Sequence, residues 1–130
     1  HSHVVPALIR KFHEAKENNS PVSVWGDGSA QRDFLYVDDA ARALVLMMEK
    51  FSGAINMASG YVHSIKEVVQ TLSKITGVNN IEWDSSMPNG QAYRGYELTK
   101  LKALGFQPGF SLEQGLRASY EWYVKNSATC

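Results

Sequence analysis

The stretch Val22 to Asp39, VSVWGDGSAQRDFLYVDD, constrains the fold more than any other part of the chain. Two runs rich in β-branched and aromatic residues flank a Gly-Asp-Gly-Ser turn, and Asp27-Gly28 at its centre tolerates positive φ. The pattern predicts a strand over Val22 to Trp25, a hairpin bend, and a second strand over Phe34 to Val37. Asp38 or Asp39 then reads as the N-cap of a helix through ARALVLMMEK. Apolar residues on nearly all faces of that helix predict deep burial. The bend holds an aromatic, Trp25, on one side and a cation, Arg32, on the other.

The flanking segments supply local signals of the same kind. Pro6 to Lys16 reads as a first helix, with Ala7, Leu8, Phe12 and Ala15 on one face and Arg10, Lys11 and His13 on others. Gly53 closes the ARALVLMMEK helix, and Ala54 to Ala58 reads as a short buried strand. Ser64 with Glu67 forms a capping box, and Gly77 suits the C′ position of the helix between them. Ile81 to Trp83 reads as a strand. Residues 84–95, DSSMPNGQAYRG, carry no periodicity and read as a long loop of the kind that bears binding residues. A short helix over Thr99 to Leu104 stops at Gly105, and Ser111, with Glu113 and Gln114, opens a last helix ending near Asn126. The sum is one small α/β domain over 1–130, with few short strands and about five helices.

Composition removes several function classes. Thirteen Lys and Arg balance thirteen Asp and Glu, so there is no basic excess of the kind a nucleic-acid surface needs. Cys130 stands alone, which excludes a disulfide framework and points to a cytoplasmic setting. No apolar run approaches the roughly 20 residues that span a bilayer, and no signal peptide is visible. His13 and His63 have no ligand partners at metal spacing. Asp38-Asp39 reads as helix capping in preference to paired catalytic acids. Gly26-Asp27-Gly28 lacks the third glycine of a dinucleotide fingerprint and leads into a strand, so it reads as a turn.

Arg32-Asp33-Phe34-Leu35-Tyr36-Val37-Asp38-Asp39-Ala40, with VWGDGSAQ before it and INMASG after it, resembles the C-terminal half of the extended short-chain dehydrogenase/reductases that act on nucleotide sugars. Within this NAD-dependent epimerase/dehydratase superfamily the closest resemblance is to the GDP-L-fucose synthases. It is carried by SHVVPALIRKFHEA, Trp25-Gly26, Pro88 to Gly90 and SLEQGLRASYEWYVKN, and it runs over essentially the whole chain. The resemblance implies a substrate-binding domain without its Rossmann domain, and so a fragment of a longer enzyme or a chain cut from something longer, with His1 and Ser2 as added residues in the other reading. It implies NADP(H) for the intact enzyme and no cofactor held by this part alone. Tyr96 and Lys100 match the spacing of the superfamily's catalytic Tyr-x-x-x-Lys, but they lie far downstream of its usual place and read as a coincidence.

The same resemblance implies the site residues. Arg32 corresponds to a phosphate-contacting arginine and Trp25 to a substrate-contacting tryptophan. Lys11 falls where relatives carry a basic contact, with Arg10 as the competing choice. Arg94 falls where a lysine neutralises the diphosphate, although PNGQAYR departs from the usual P-D-G-T-P-R-K. His3 corresponds to an active-site histidine that acts as an acid in epimerisation, while Cys130 cannot replace the catalytic cysteine expected upstream. The expected ligand is a nucleotide-diphosphate sugar, GDP-sugar favoured, and the expected partners are the missing Rossmann half or a second copy in a homodimer. Two alternatives stay open: another nucleotide-sugar 4-epimerase, 4,6-dehydratase or 4-reductase, and a non-catalytic binding or assembly module.

Overall fold

The computed structural model describes residues 4–50, 58–88, 93–94 and 99–127, with backbone alone for 50, 93, 94 and 127. Helix α1 (Val4–Asn18) is followed by β1 (Val22–Trp25), β2 (Gln31–Asp33), α2 (Val37–Lys50), β3 (Val62–Ser64) and α3 (Ile65–Thr76). Strands β4 (Ile81–Asp84) and β5 (Tyr93–Arg94) and helices α4 (Thr99–Ala103) and α5 (Leu112–Ser127) complete the described chain.

The main core forms where the amphipathic faces of α1, α3 and α5 close over β1. Leu8, Ile9, Phe12 and Ala15 of α1 meet Val22 and Val24 of β1, Val68, Val69 and Leu72 of α3, and Leu116 and Tyr120 of α5. Val22 and Val24 are buried while Ser23 and Trp25 face outward, the period-2 alternation of a strand covered on one side. Both long C-terminal helices begin as expected. Ser64 accepts from the Glu67 amide at 3.1 Å while Glu67 accepts from the Ser64 amide at 3.1 Å, and Gly77 ends α3 in the left-handed region at φ 79°. Ser111 and Gln114 repeat the reciprocal pair at the start of α5.

The expected hairpin does not form. β1 pairs in parallel with β4, Val22 opposite Ile81 and Trp25 opposite Asp84, whereas β2 lies between β3 and β5 in a second sheet. The Gly26–Ala30 segment carries the chain out of one sheet and into the other, with Gly26 and Gly28 both at positive φ. It is fixed there by the start of α3: the amides of Ile65 and Lys66 donate to the carbonyls of Ala30 and Gly28 at 2.9 and 3.0 Å. The second strand is accordingly Gln31–Asp33 and not Phe34 to Val37. Polar residues occupy it because ladder pairing on both sides, not β propensity, selects them.

Three other expectations need correcting. Asp39 is not an N-cap: α2 starts at Val37, the Tyr36 carbonyl accepts from the Ala40 amide, and both aspartates lie inside the first turn. Nor is α2 deeply buried, because Val37, Leu44, Val45 and Met48 are exposed, Met48 to 76 %. Its inner face closes a smaller cluster of Ala43, Ala58, Leu101 and Phe106, with Leu35, Leu46 and Met47 packed against it. Finally, the 84–95 loop contains the strand β5. Gly53, residues 54–57, His3, Tyr96 and Cys130 lie outside the described residues.

Candidate functional site

Lys11 is carried on the side of α1 that meets β1, and its Nζ donates to the Ser23 carbonyl at 2.9 Å. This holds an ammonium two residues from Trp25, whose ring is 57 % exposed at the end of the strand. An exposed indole on the same strand as the carbonyl that holds a cation offers an apolar face and a positive charge from one element, a combination suited to a base or sugar attached to a phosphate. Arg10 occupies another face of α1, where it pairs with Glu14 at 3.7 Å.

Beyond Trp25 the chain turns sharply. The Gly26 amide donates to the Asp84 carbonyl at 2.8 Å, and the Asp27 carboxylate accepts from the Ser29 amide at 2.9 Å. Gly28 has no room for a side chain: a Cβ there would lie 2.8 Å from the Trp83 ring and 2.9 Å from Cβ of Lys66. The turn is therefore packed against β4 and the first residue pair of α3. A dinucleotide pyrophosphate needs a glycine loop open toward a following helix N-terminus. The Gly26–Gly28 turn is closed on that side and leads to a strand, so it does not fit such a group.

Arg32 sits in the central strand of the second sheet, opposite His63 of β3 and opposite Arg94 of β5. Its Nη1 donates to the Gln31 carbonyl at 2.8 Å. The register brings residues 32 and 94 side by side. His63 is tethered, with Nδ1 3.1 Å from Oε2 of Glu67. The hydrogen bond from His63, together with the Ser64 amide, holds the Glu67 carboxyl below its ordinary range. The four described candidates thus fall into two pairs, Lys11 with Trp25 and Arg32 with Arg94, joined by the Gly26–Ala30 crossing. His3 lies outside the described residues. Among the described residues no group of three His, Cys, Asp or Glu is placed to hold a metal ion, and no helix is long and apolar enough to cross a membrane.

Two carboxylates of the same block position the site rather than line it, and neither was picked out as such from the sequence. Asp33, next to Arg32, accepts from the Ser59 amide and hydroxyl at 2.8 Å through Oδ1 and from the Gly60 amide at 2.8 Å through Oδ2. This closes the end of β2 onto the turn before β3. Asp39 is 1 % exposed and binds Arg42 at 2.9 Å, the Gly109 amide at 2.8 Å and the Phe110 amide at 3.0 Å. Burial alone would raise its pKa, but the Arg42 guanidinium and the two amides outweigh burial and hold it below 3.8. The Asp39 carboxylate is thus engaged by Arg42, which also donates to the Gln107 carbonyl at 2.6 Å. The only available signal was the repeated acid around F-L-Y-V, and capping explains that pattern equally well at the level of sequence.

Residues 1–58 match the model of the NAD dependent epimerase/dehydratase family. The chain is 42 % identical over 129 residues to GDP-L-fucose synthase 1 of Arabidopsis thaliana, a match covering 96 % of this chain and 40 % of that protein. It is 38 % identical over 138 residues to the GDP-L-fucose synthase of Escherichia coli K12, covering 96 % and 43 %. Among solved structures, a GDP-L-fucose synthetase from Naegleria fowleri bound to NADP superposes with a TM-score of 0.90 at 30 % identity, over 98 % of this chain and 42 % of that one. The chain spans about two fifths of the length of the relatives it matches.

Proposed function

We propose that this chain, a member of the NAD dependent epimerase/dehydratase family similar to the GDP-L-fucose synthases, is the substrate-binding part of a nucleotide-sugar epimerase/reductase. In this reading residues 1–130 act as one domain whose ligand is a nucleotide-diphosphate sugar, with a GDP-sugar favoured. The observation that carries the reading is the array around the Gly26–Ala30 crossing: Lys11 fixed on the Ser23 carbonyl of the strand that ends in exposed Trp25, and Arg32 in register with Arg94.

The chemistry of the ligand explains that array. A diphosphate is a compact anion, and it binds best to cations whose positions are fixed before it arrives. Arg32 supplies a planar fork able to grip two phosphate oxygens, while Lys11 supplies a point charge. Trp25 offers its face to the base or sugar. Asp33 and Asp39 hold the two ends of the R-D-F-L-Y-V-D-D block, so that Arg32 stays at the mid-sheet position.

The described residues bind and orient; they do not supply the redox chemistry. NADP(H) would be held by another part of a longer enzyme, since the Gly26–Gly28 turn does not fit a pyrophosphate. His3, if it faces the sugar as the resemblance implies, would deliver a proton during epimerisation.

Titration calorimetry with GDP-, UDP- and CDP-sugars tests the reading. The expected result is tightest binding of the GDP-sugar, weakened about 10-fold or more by Arg32→Ala. Absence of heat with every nucleotide at millimolar concentration would overturn it.

A further inference from the structure

His63 stands in one row with the two arginines of the proposed site, and the reading above makes no use of it. In β3 it is the register partner of Arg32, whose partner on the other side is Arg94 of β5. Residues paired across a sheet send their side chains to the same face, so the His63 ring shares a face with the Arg32 guanidinium. Directly opposed Cβ atoms lie about 4.5–5.5 Å apart, close enough for a ring and a guanidinium to meet one small anion.

The ring is held in a definite orientation. Glu67 uses Oε1 to accept from the Ser64 amide at 3.1 Å, which completes the capping box of α3. Its other oxygen, Oε2, lies 3.1 Å from Nδ1 of His63. Because these bonds hold the Glu67 carboxyl below its ordinary range, it is an ionised acceptor, and Nδ1 carries the proton between them. Nε2 is then turned away from Glu67, a lone pair on the neutral ring and an N–H donor on the charged one. The cap is complete without His63, and an ion pair with side chains 27 % and 53 % exposed adds little to stability. What the contact provides is a fixed ring.

We propose that His63 is a further phosphate-binding residue of this site, its Nε2 donating to a diphosphate oxygen beside Arg32 once the ring is protonated. The inference rests on the substrate-binding reading above. The charges around the ring set its direction. Glu67 of α3 favours the charged ring, whereas Arg32 of β2, Arg94 of β5 and Lys66 in the first turn of α3 oppose it. Asp33 of β2 is engaged by Ser59 and Gly60. A bound diphosphate adds negative charge to this row, so binding draws a proton from solvent onto Nε2. Affinity is therefore highest on the acid side of the ordinary imidazole range and falls as pH rises through it.

Calorimetric titration with GDP-mannose tests this, because each phosphate of a GDP-sugar keeps a single charge across the range used. Repeating the titration in buffers of different ionisation enthalpy counts the protons taken up. The expected result is uptake of as much as about one proton per ligand, with affinity about 5-fold or more weaker near pH 8 than near pH 6. His63→Phe keeps the bulk of the ring and should bind more weakly near pH 6, with no proton uptake and a flat pH profile. His63→Gln should give the same loss where a phenyl ring is not tolerated. His63→Lys carries its charge throughout and should restore tight binding at both pH values, again without uptake. A residue needed only for packing or for the start of α3 would not be rescued in this way. A flat profile in the parent chain, or proton uptake that persists in His63→Phe, would overturn the inference while leaving Arg32-dependent binding, and with it the substrate reading, in place. No binding of GDP-mannose by the parent at either pH would overturn both.

Discussion

The two hydrophobic clusters differ in completeness, and the difference explains how one small chain combines a firm scaffold with an unfinished side. Around β1, three helices close a core in which Phe12, Leu72 and Val68 are wholly removed from water. Around α2, a cluster of four buried residues covers one face of a helix whose other face stays in solvent. Every element of the first region finds a partner within the described chain. The second has the pattern of an inner helix with one neighbour supplied. The candidate substrate residues lie at the seam: Lys11 and Trp25 are anchored to the complete core, and Arg32 leads through the R-D-F-L-Y-V-D-D block into the incomplete one.

Substitutions that remove buried volume should separate the regions most sharply. Phe12→Ala is expected to cost about 3–5 kcal/mol in denaturant unfolding, since the ring is fully enclosed. Met48→Ala, on the open face of α2, is expected to change stability by less than about 0.5 kcal/mol. Equal costs would erase the distinction between the two clusters.

Asp39→Ala comes next, at about 2–3 kcal/mol, because it leaves the Gly109 and Phe110 amides without their acceptor. The same clamp has a pH signature. The folded pKa of Asp39 lies below its ordinary value of 3.8. Its stabilisation is therefore complete above the unfolded pKa and is lost as pH falls through the folded one. Chemical denaturation between pH 6 and about pH 2 should show this acid loss in the parent chain and a shallower slope in Asp39→Ala.

Gly28→Ala is expected to cost about 1–2 kcal/mol, through its φ of 82° and the approach of Trp83 at 2.8 Å. Thermal unfolding reads this directly, and an unchanged midpoint would mean that the crossing between sheets is looser than described. Smallest, Ser64→Ala should remove one cap and cost about 1 kcal/mol by the same measurement.

These features were not equally readable from the sequence. Ser64/Glu67, Gly77 and Ser111/Gln114 are visible because capping involves residues within one turn of each other. The pairing of Val22 with Ile81 is not visible, since a parallel partner so distant in the chain leaves no local trace. Asp27-Gly28 looked like a hairpin because a turn between two sheets uses the same residue types as a turn within one. Gln31–Asp33 lacks β propensity and became a strand through its two neighbours. Helix α2 misled for a different reason. Apolar residues all round predict burial correctly for a helix with two packed faces, but among the described residues only one packing layer covers it. At the site, Trp25, Arg32, Lys11 and Arg94 came from the family resemblance rather than from their chemistry. Asp39 went unrecognised because a buried clamp and an N-cap look alike until the Gly109–Phe110 segment is seen against it.

The most direct test of the central claim is calorimetric titration of GDP into the chain and into Arg32→Ala and Arg32→Lys. The substrate-binding reading predicts saturable binding with a dissociation constant below about 1 mM, lost by about 10-fold or more in Arg32→Ala and partly recovered in Arg32→Lys, which keeps the charge without the fork. Equal affinity in the parent chain and Arg32→Ala, or no binding by the parent, would contradict it.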